Sequence, residues 1–365
     1  MTLSMQEWIF TESFGRYTID LGDSNVTPLS AADLLGPDAL RELARLPLGY
    51  GHEAGLPELR AAIAARHARA GPESVLVAHG AQEAFSLLIR ALDRPPRSEA
   101  IVVGSGWSQH SALPAEEGMK VVTVPLAEDE EALLAAVAKA ATWRTGAIVV
   151  ASPDNPTGWS ASPALLEALS EIAGSYDALL IVDEEYVIDG ERSVAGLNES
   201  VAVVSGLSKL HGLPGLRIGW CVARPELIAR CTRRKHLSTI ANSVLCERLA
   251  LAVLADDAAF RRRAATLCGA GRAVLRAWAA ERGTVEVLGS GEELPFAWLR
   301  LAAGTDSLAV ARAALRGGVL VIPGEVFDRP GHLRVTVGRD PAELRAGLAV
   351  LTDALADPAA VRQAA

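Results

Sequence analysis

From about Leu46 to Leu237 one pattern repeats: a short apolar run of strand length, then a segment whose apolar residues recur at helical spacing. The runs fall at residues 75–78, 100–103, 120–124, 147–151, 179–183, 201–205 and 217–223. Helical spacing occupies 57–70, 81–92, 130–141 and 163–173. Strands this short and apolar leave no face for water, so their sheet must be covered on both sides. The pattern predicts a large doubly wound α/β domain over 46–237. Sheets of this kind bind ligands in the crevice outside the carboxyl ends of their strands, and the site is expected there.

The texture changes on either side. Residues 238–365 read as a small α+β domain. It has helices at 243–254, 258–282, 307–315 (with Asp306 as N-cap) and 341–355, and strands at 284–287, 295–301, 319–322 and 332–337. Residues 1–45 read as an arm that joins this small domain. The arm holds an irregular stretch, Gly22-Asp-Ser-Asn-Val-Thr-Pro28, and a helix-like run at 31–44. The Ala/Pro/Arg tail after Leu355 is expected to fray.

Composition narrows the functional classes. At 365 residues the chain exceeds one ordinary core, which fits two domains. Its net charge of −9 argues against nucleic acid or an anionic membrane as partner, since both need a basic surface. The N-terminus lacks a basic segment followed by an apolar one, and no apolar run approaches the ~20 residues that span a bilayer. Cys221, Cys231, Cys246 and Cys268 include no Cys-x-x-Cys pair and read as buried thiols of a cytoplasmic protein. His52, His79, His110 and His211 lack metal-ligand spacing and read as structural or loop histidines, although His79 and His110 flank motifs below. No metal is expected. Arg233-Arg234-Lys235 reads as a solvated helix end, and no Walker loop or Gly-x-Ser-x-Gly elbow is present.

Five motifs lie at ends of the apolar runs. The first is Ser208-Lys209-Leu-His-Gly212-Leu-Pro-Gly215-Leu-Arg217-Ile-Gly219-Trp220. It follows a strand with a nucleophilic amine, a glycine-rich turn and a guanidinium suited to a phosphate, with the Ser208 hydroxyl as a further donor. The others are Asp183-Glu-Glu-Tyr186, Asp154-Asn155-Pro156-Thr157-Gly158, His79-Gly80-Ala81-Gln82, and Trp107 after the run at 100–103. Singly these have plain readings: a surface lysine, a strand-end acid, a turn, a helix start and a core aromatic. The helix start is itself a natural anion site, because its N–H groups lack partners within the helix. Tyr50-Gly51 and Leu333-Arg334-Val-Thr-Val complete the set.

In this order and spacing the motifs resemble the class I/II aminotransferases, fold-type I enzymes of pyridoxal 5'-phosphate. The likeness spans nearly the whole chain, and the run Gly212–Val222 is similar to capreomycidine-synthase-type enzymes of antibiotic pathways. The resemblance implies an aspartate-aminotransferase-like fold, with the cofactor in the large domain and active sites shared across a homodimer. It implies that Lys209 carries the cofactor as a Schiff base, Asp183 pairs with the pyridine nitrogen, and Tyr186 and Asn155 donate to the 3'-oxygen. Trp107 would stack on the ring. Gly80, Ala81, Gln82, Ser208, Arg217 and a partner's Tyr50 would bind the phosphate. Arg334, with Asn25 nearby, would bind the substrate carboxylate.

The implied activity is aminotransferase-type chemistry on a small-molecule L-amino acid. The alternatives are β-elimination or replacement, cyclisation, or decarboxylation with oxidative deamination of a modified amino acid. A cofactor-binding regulator is disfavoured, because no helix-turn-helix or basic region precedes the fold. The chain also departs from the family pattern. Gly206 stands three residues before the lysine, where a hydroxyl is common. Gly104-Ser-Gly106 precedes Trp107, and Asp23-Ser-Asn25 lacks the usual glycine-proline.

Overall fold

The computed structural model describes residues 3–92, 99–104, 106–127, 129–289, 291 and 293–358. Ser105 of the Gly104-Ser-Gly106 stretch and the tail from 359 onward, where fraying was expected, lie outside them.

Seven strands form the main sheet, in the order Val75–Ala78, Gly219–Val222, Val201–Gly206, Leu179–Asp183, Thr145–Ala151, Glu99–Val103, Lys120–Val124. All run parallel except Gly219–Val222, which is antiparallel to both neighbours. Side chains alternate across a strand. Accordingly Val75, Val77, Ile101 and Val103 pack with Leu59, Ile63, Leu133 and Leu169 on one face. Leu76, Ala78, Ala100 and Val102 pack with Phe85, Leu88, Leu227 and Ile228 on the other. Both faces are dry except along the edge strand Lys120–Val124, where Lys120 and Thr123 are exposed. Each fully buried valine or leucine contributes about 1.5–3 kcal/mol over its exposed state.

A four-stranded antiparallel sheet has the order Ile322–Pro323, His332–Thr336, Phe296–Leu301, Val285–Leu288. The arm is tied to this part of the molecule. Ile19–Asp20 pairs with Val319–Leu320, and the fully buried Trp8 donates from Nε1 to the Val321 carbonyl at 2.8 Å. The helix Val244–Ala255 buries Ala250 and Val253 in the core of the large sheet rather than against the small one.

Several elements differ from expectation. The run at 31–44 breaks into Ala31–Leu34 and Pro37–Leu43, because Pro37 has no N–H to continue a helix and starts a new one instead. The run at 319–322 is two short strands that serve different sheets. The helix from Pro57 ends at Ala64. The strand expected from Arg217 begins at Gly219, since Arg217 adopts φ +52°. Helix Gln109–Glu116 was not foreseen, and Pro225–His236 was anticipated only through its basic end at 233–235.

In the second of these helices the basic row is not wholly solvated. Arg233 and Arg234 are exposed, but Lys235 is buried. Its Nζ donates to the Val77 carbonyl at 2.7 Å and to Asn242. Burial lowers its pKa, against the pull of Glu83 and Glu247. All four cysteines are free, three buried and Cys246 half-buried.

Candidate active site

The parallel strands end on one edge of the sheet, and the antiparallel strand begins there. Ala78, Gly206 and Gly219 meet at this edge, as do Ala151 and Asp183. The residues that follow or precede these ends surround a cavity of about 170 Å³. Of the residues anticipated from sequence, Ala81, Gln82, Trp107, Asn155, Asp183, Tyr186, Ser208, Lys209 and Arg217 border it.

Lys209 lies on a tight loop after Val201–Gly206 and is half-buried. The loop is fixed by backbone bonds: Leu207 N–H to the Ile218 carbonyl at 3.0 Å and Gly212 N–H to the Lys209 carbonyl at 3.2 Å. The arm braces it from outside. Val26 N–H reaches the Lys209 carbonyl and Leu29 N–H the Gly212 carbonyl, each at 3.1 Å. Between them, Thr27 N–H reaches the Gly338 carbonyl at 2.8 Å.

One end of the cavity is an anion cradle. The helix Ala81–Ala91 opens without a side-chain cap, so its first N–H groups are available to a ligand. Gly80 has φ +81°, and a Cβ there would sit 2.4 Å from Arg217 Nη2. Only glycine lets the guanidinium come this close. Arg217 donates to the carbonyls of Pro214 at 2.9 Å and His79 at 3.2 Å. Ser208 borders the same cavity, with its hydroxyl hydrogen-bonded to Glu185.

Asp183 ends its strand and presents both carboxylate oxygens to fixed partners. Oδ1 accepts from the Glu185 N–H at 2.9 Å, and Oδ2 lies 3.0 Å from His110 Nε2. His110 is held in turn edge-on to Phe85, with ring centroids 5.1 Å apart. Trp107 donates from Nε1 to Gln82 Oε1 at 3.1 Å, which fixes its ring. Tyr186 packs edge-on to Phe296, and burial raises its pKa above that of a free phenol, against the pull of Arg334.

Arg334 and Asn25 do not border the cavity. Arg334 is buried and reaches the wall through Asn155, donating from Nη1 to its Oδ1 at 2.8 Å and from Nη2 to the Gly22 carbonyl at 2.6 Å. Its Nε has no partner. Asn25 is fully buried and donates to the Val26 carbonyl at 3.0 Å, and the neighbouring Ser24 borders the cavity instead. Tyr50 is 88% exposed and stands apart from the cavity.

Sequence reasoning did not single out Ser24, Phe85 or Glu185, and it read His110 mainly as structural. Trp107-Ser-Gln-His110 carried a usable signal for His110, since a histidine three residues after an aromatic falls on the same side of a helix start. His79 and His211 are paired with Glu83 and Asp257 at 2.9 Å each, and neither borders the cavity. Among the described residues no three His, Cys, Asp or Glu side chains gather as a metal site.

Pyridoxal 5'-phosphate fits this donor set. The cradle takes an anion where a Cβ on Gly80 would intrude, Asp183 offers a fixed carboxylate, and an amine borders the same space. Fold and site together define a pyridoxal-phosphate enzyme with an aspartate-aminotransferase-like fold. Residues 22–351 match the family model of class I and II aminotransferases, and the chain belongs to that family.

It is 32% identical to capreomycidine synthase of Streptomyces vinaceus, over 96% of this chain and 93% of that protein. It is 29% identical to the aspartate/prephenate aminotransferase of Thermus thermophilus, over 86% of each. Among solved structures, a PLP-dependent cyclase, OrfR, superposes with a TM-score of 0.84 at 26% identity, over 96% of both chains.

Proposed function

We propose that the protein transfers the amino group of an L-amino acid, with Lys209 as the residue that holds the cofactor and moves the proton. The observation that carries this reading is the Asp183–His110 pair bordering the same cavity as Lys209. When bound, pyridoxal 5'-phosphate supplies an aldehyde that joins an amine and a cationic ring that accepts the electrons of a broken Cα bond.

The chain's residues supply the rest. Asp183 would keep a proton on the ring nitrogen, and His110 would fix the carboxylate that does so. Tyr186 and Asn155 would donate to the 3'-oxygen, and Trp107 would cover the ring. Gly80, Ala81, Gln82, Ser208 and Arg217 would hold the phosphate. Arg334, held behind the wall at Asn155, would turn its guanidinium to the substrate carboxylate, and Asn25 would support the arm beside it. Once displaced, Lys209 takes the proton from Cα and returns it.

A second reading is elimination or cyclisation of a modified amino acid in specialised metabolism, including antibiotic formation. The likeness to capreomycidine synthase and to a cyclase supports it. Both readings place the protein in the cytoplasm as a homodimer. The exposed Tyr50 is free to reach a partner subunit's phosphate site, and free cysteines suit a reducing compartment.

The test is a product count with a panel of L-amino acids and no oxo-acid acceptor. Transamination stops after one oxo acid per active site and resumes when an acceptor is added. Elimination or cyclisation continues without an acceptor. If no amino acid is consumed under either condition, or if Lys209→Ala matches the wild type, the proposal fails.

A further inference from the structure

The hydroxyl missing at Gly206 has a counterpart in space. A Cβ on Gly206 would lie 3.1 Å from Glu185 Oε2 and 3.0 Å from the Ile218 carbonyl oxygen. A side chain at 206 and the Glu185 carboxyl therefore compete for the same volume, and this chain fills it with the carboxyl. Ser205 does not substitute, because its hydroxyl donates to the Glu184 carbonyl at 3.2 Å. Glu185 is 8% exposed, borders the cavity and is hydrogen-bonded to Ser208, while its Oε2 has no partner. An unpartnered buried carboxyl oxygen facing a ligand cavity marks a contact that the ligand completes.

We propose that Glu185 carries a proton and donates it in a hydrogen bond to the cofactor phosphate, replacing the hydroxyl that Gly206 lacks. This rests on the reading of the Arg217 end as the phosphate end. An ionised Glu185 would repel a phosphate dianion, whereas the acid form is a donor. The groups that face it fit the acid form. Burial is the main cause that pushes its pKa to about 8, and Asp183 at the end of the adjacent strand adds to this. Lys209, Arg217 and the Ser208 hydrogen bond oppose them. Tyr186 is a further titratable neighbour, kept protonated by its own burial. A bound phosphate adds negative charge and favours the proton further.

The experiment strips the full-length enzyme of cofactor and titrates it with pyridoxal 5'-phosphate and with pyridoxal, from about pH 6.5 to 9.5. The phosphate's own second ionisation, near ~6, lies below this window. The ratio of the two affinities isolates the phosphate contact, because reaction of the aldehyde with the lysine is common to both. The wild-type ratio is expected to fall by about tenfold as Glu185 ionises. Glu185→Gln keeps a donor at every pH, so its ratio stays flat. Arg217→Gln lowers the ratio throughout.

A flat wild-type ratio, or a Glu185→Gln profile that tracks the wild type, overturns the role of Glu185. If Arg217→Gln leaves the ratio unmoved, the phosphate-end reading itself is wrong. Should Glu185→Gln not fold, the wild-type profile alone decides.

Discussion

His110 Nε2 lies 3.0 Å from Asp183 Oδ2, and the two side chains are nearly closed to water. The strand register places Asp183 beside Ala151 and Val204, so its backbone is fixed by the sheet. His110 then fixes the carboxylate. Replacing His110 by Ala removes a hydrogen bond to a charged group, worth about 1.5–3 kcal/mol, or roughly ten- to hundredfold in kcat. His110→Asn, which keeps a donor, is expected to recover part of the loss. Steady-state kinetics on both variants check this, and equal loss in the two would remove the hydrogen bond from the account.

Gly80→Ala forces a Cβ to 2.4 Å from Arg217 Nη2 at φ +81°. The guanidinium must withdraw, and the backbone strain itself costs about 1–3 kcal/mol. Cofactor affinity is expected to fall roughly tenfold or more, with a smaller loss of thermal stability. Fluorescence titration with pyridoxal 5'-phosphate measures the first and a melting curve the second.

Arg334 spans Asn155 and the Gly22 carbonyl from within a buried site. A lysine cannot reproduce that fork. Arg334→Lys should raise KM by roughly tenfold or more and cost about 1–3 kcal/mol of stability through the unpaired carbonyl. Unchanged KM with a lowered melting temperature would assign Arg334 a purely structural role.

Burial raises the pKa of Glu184 to about 7, against hydrogen bonds from Ser193 and the Val194 N–H. The folded state therefore holds a proton that the unfolded chain, titrating near the ordinary glutamate value of 4.5, has already lost. Stability from this group is full below about pH 4.5 and declines as pH rises toward about 7, on the order of 1 kcal/mol per pH unit. Glu184→Gln should raise the melting temperature near about pH 8 and leave it unchanged near about pH 4.5. The same difference at both pH values would mean that ionisation is not the cause.

The large sheet was legible because strands buried on both faces must be apolar at every position, and runs such as 147–151 show this without an alignment. The lysine, aspartate and asparagine motifs were legible because each follows such a run, and strand ends on one edge bring them together. Lys235 was misread because a basic row looks the same whether solvated or folded inward, and only Asn242 and the Val77 carbonyl show which holds. Glu185 was hidden within three consecutive acids, which resemble surface charge. Its one sequence trace was the absence of a side chain at Gly206, and spatial pairing was needed to read it. Asn25 and Ser24 could not be separated, because the irregular arm has no periodicity to say which residue turns inward.

The brace on the lysine loop bears on how the enzyme is made. The loop at 207–212 is held by Val26 and Leu29, and the segment between them is held by Gly338. The frame of the Lys209 loop thus joins residues separated by more than 300 positions, from Val26 to Gly338. Contacts this distant in sequence form late, after the local strand and helix pairs. A nascent chain with Gly338 still inside the ribosome already displays Lys209 but lacks the frame that fixes it. A complete frame around Lys209 is therefore expected only once the segments around Val26 and Gly338 have both docked, so the lysine loop is one of the last parts of the large domain to become rigid.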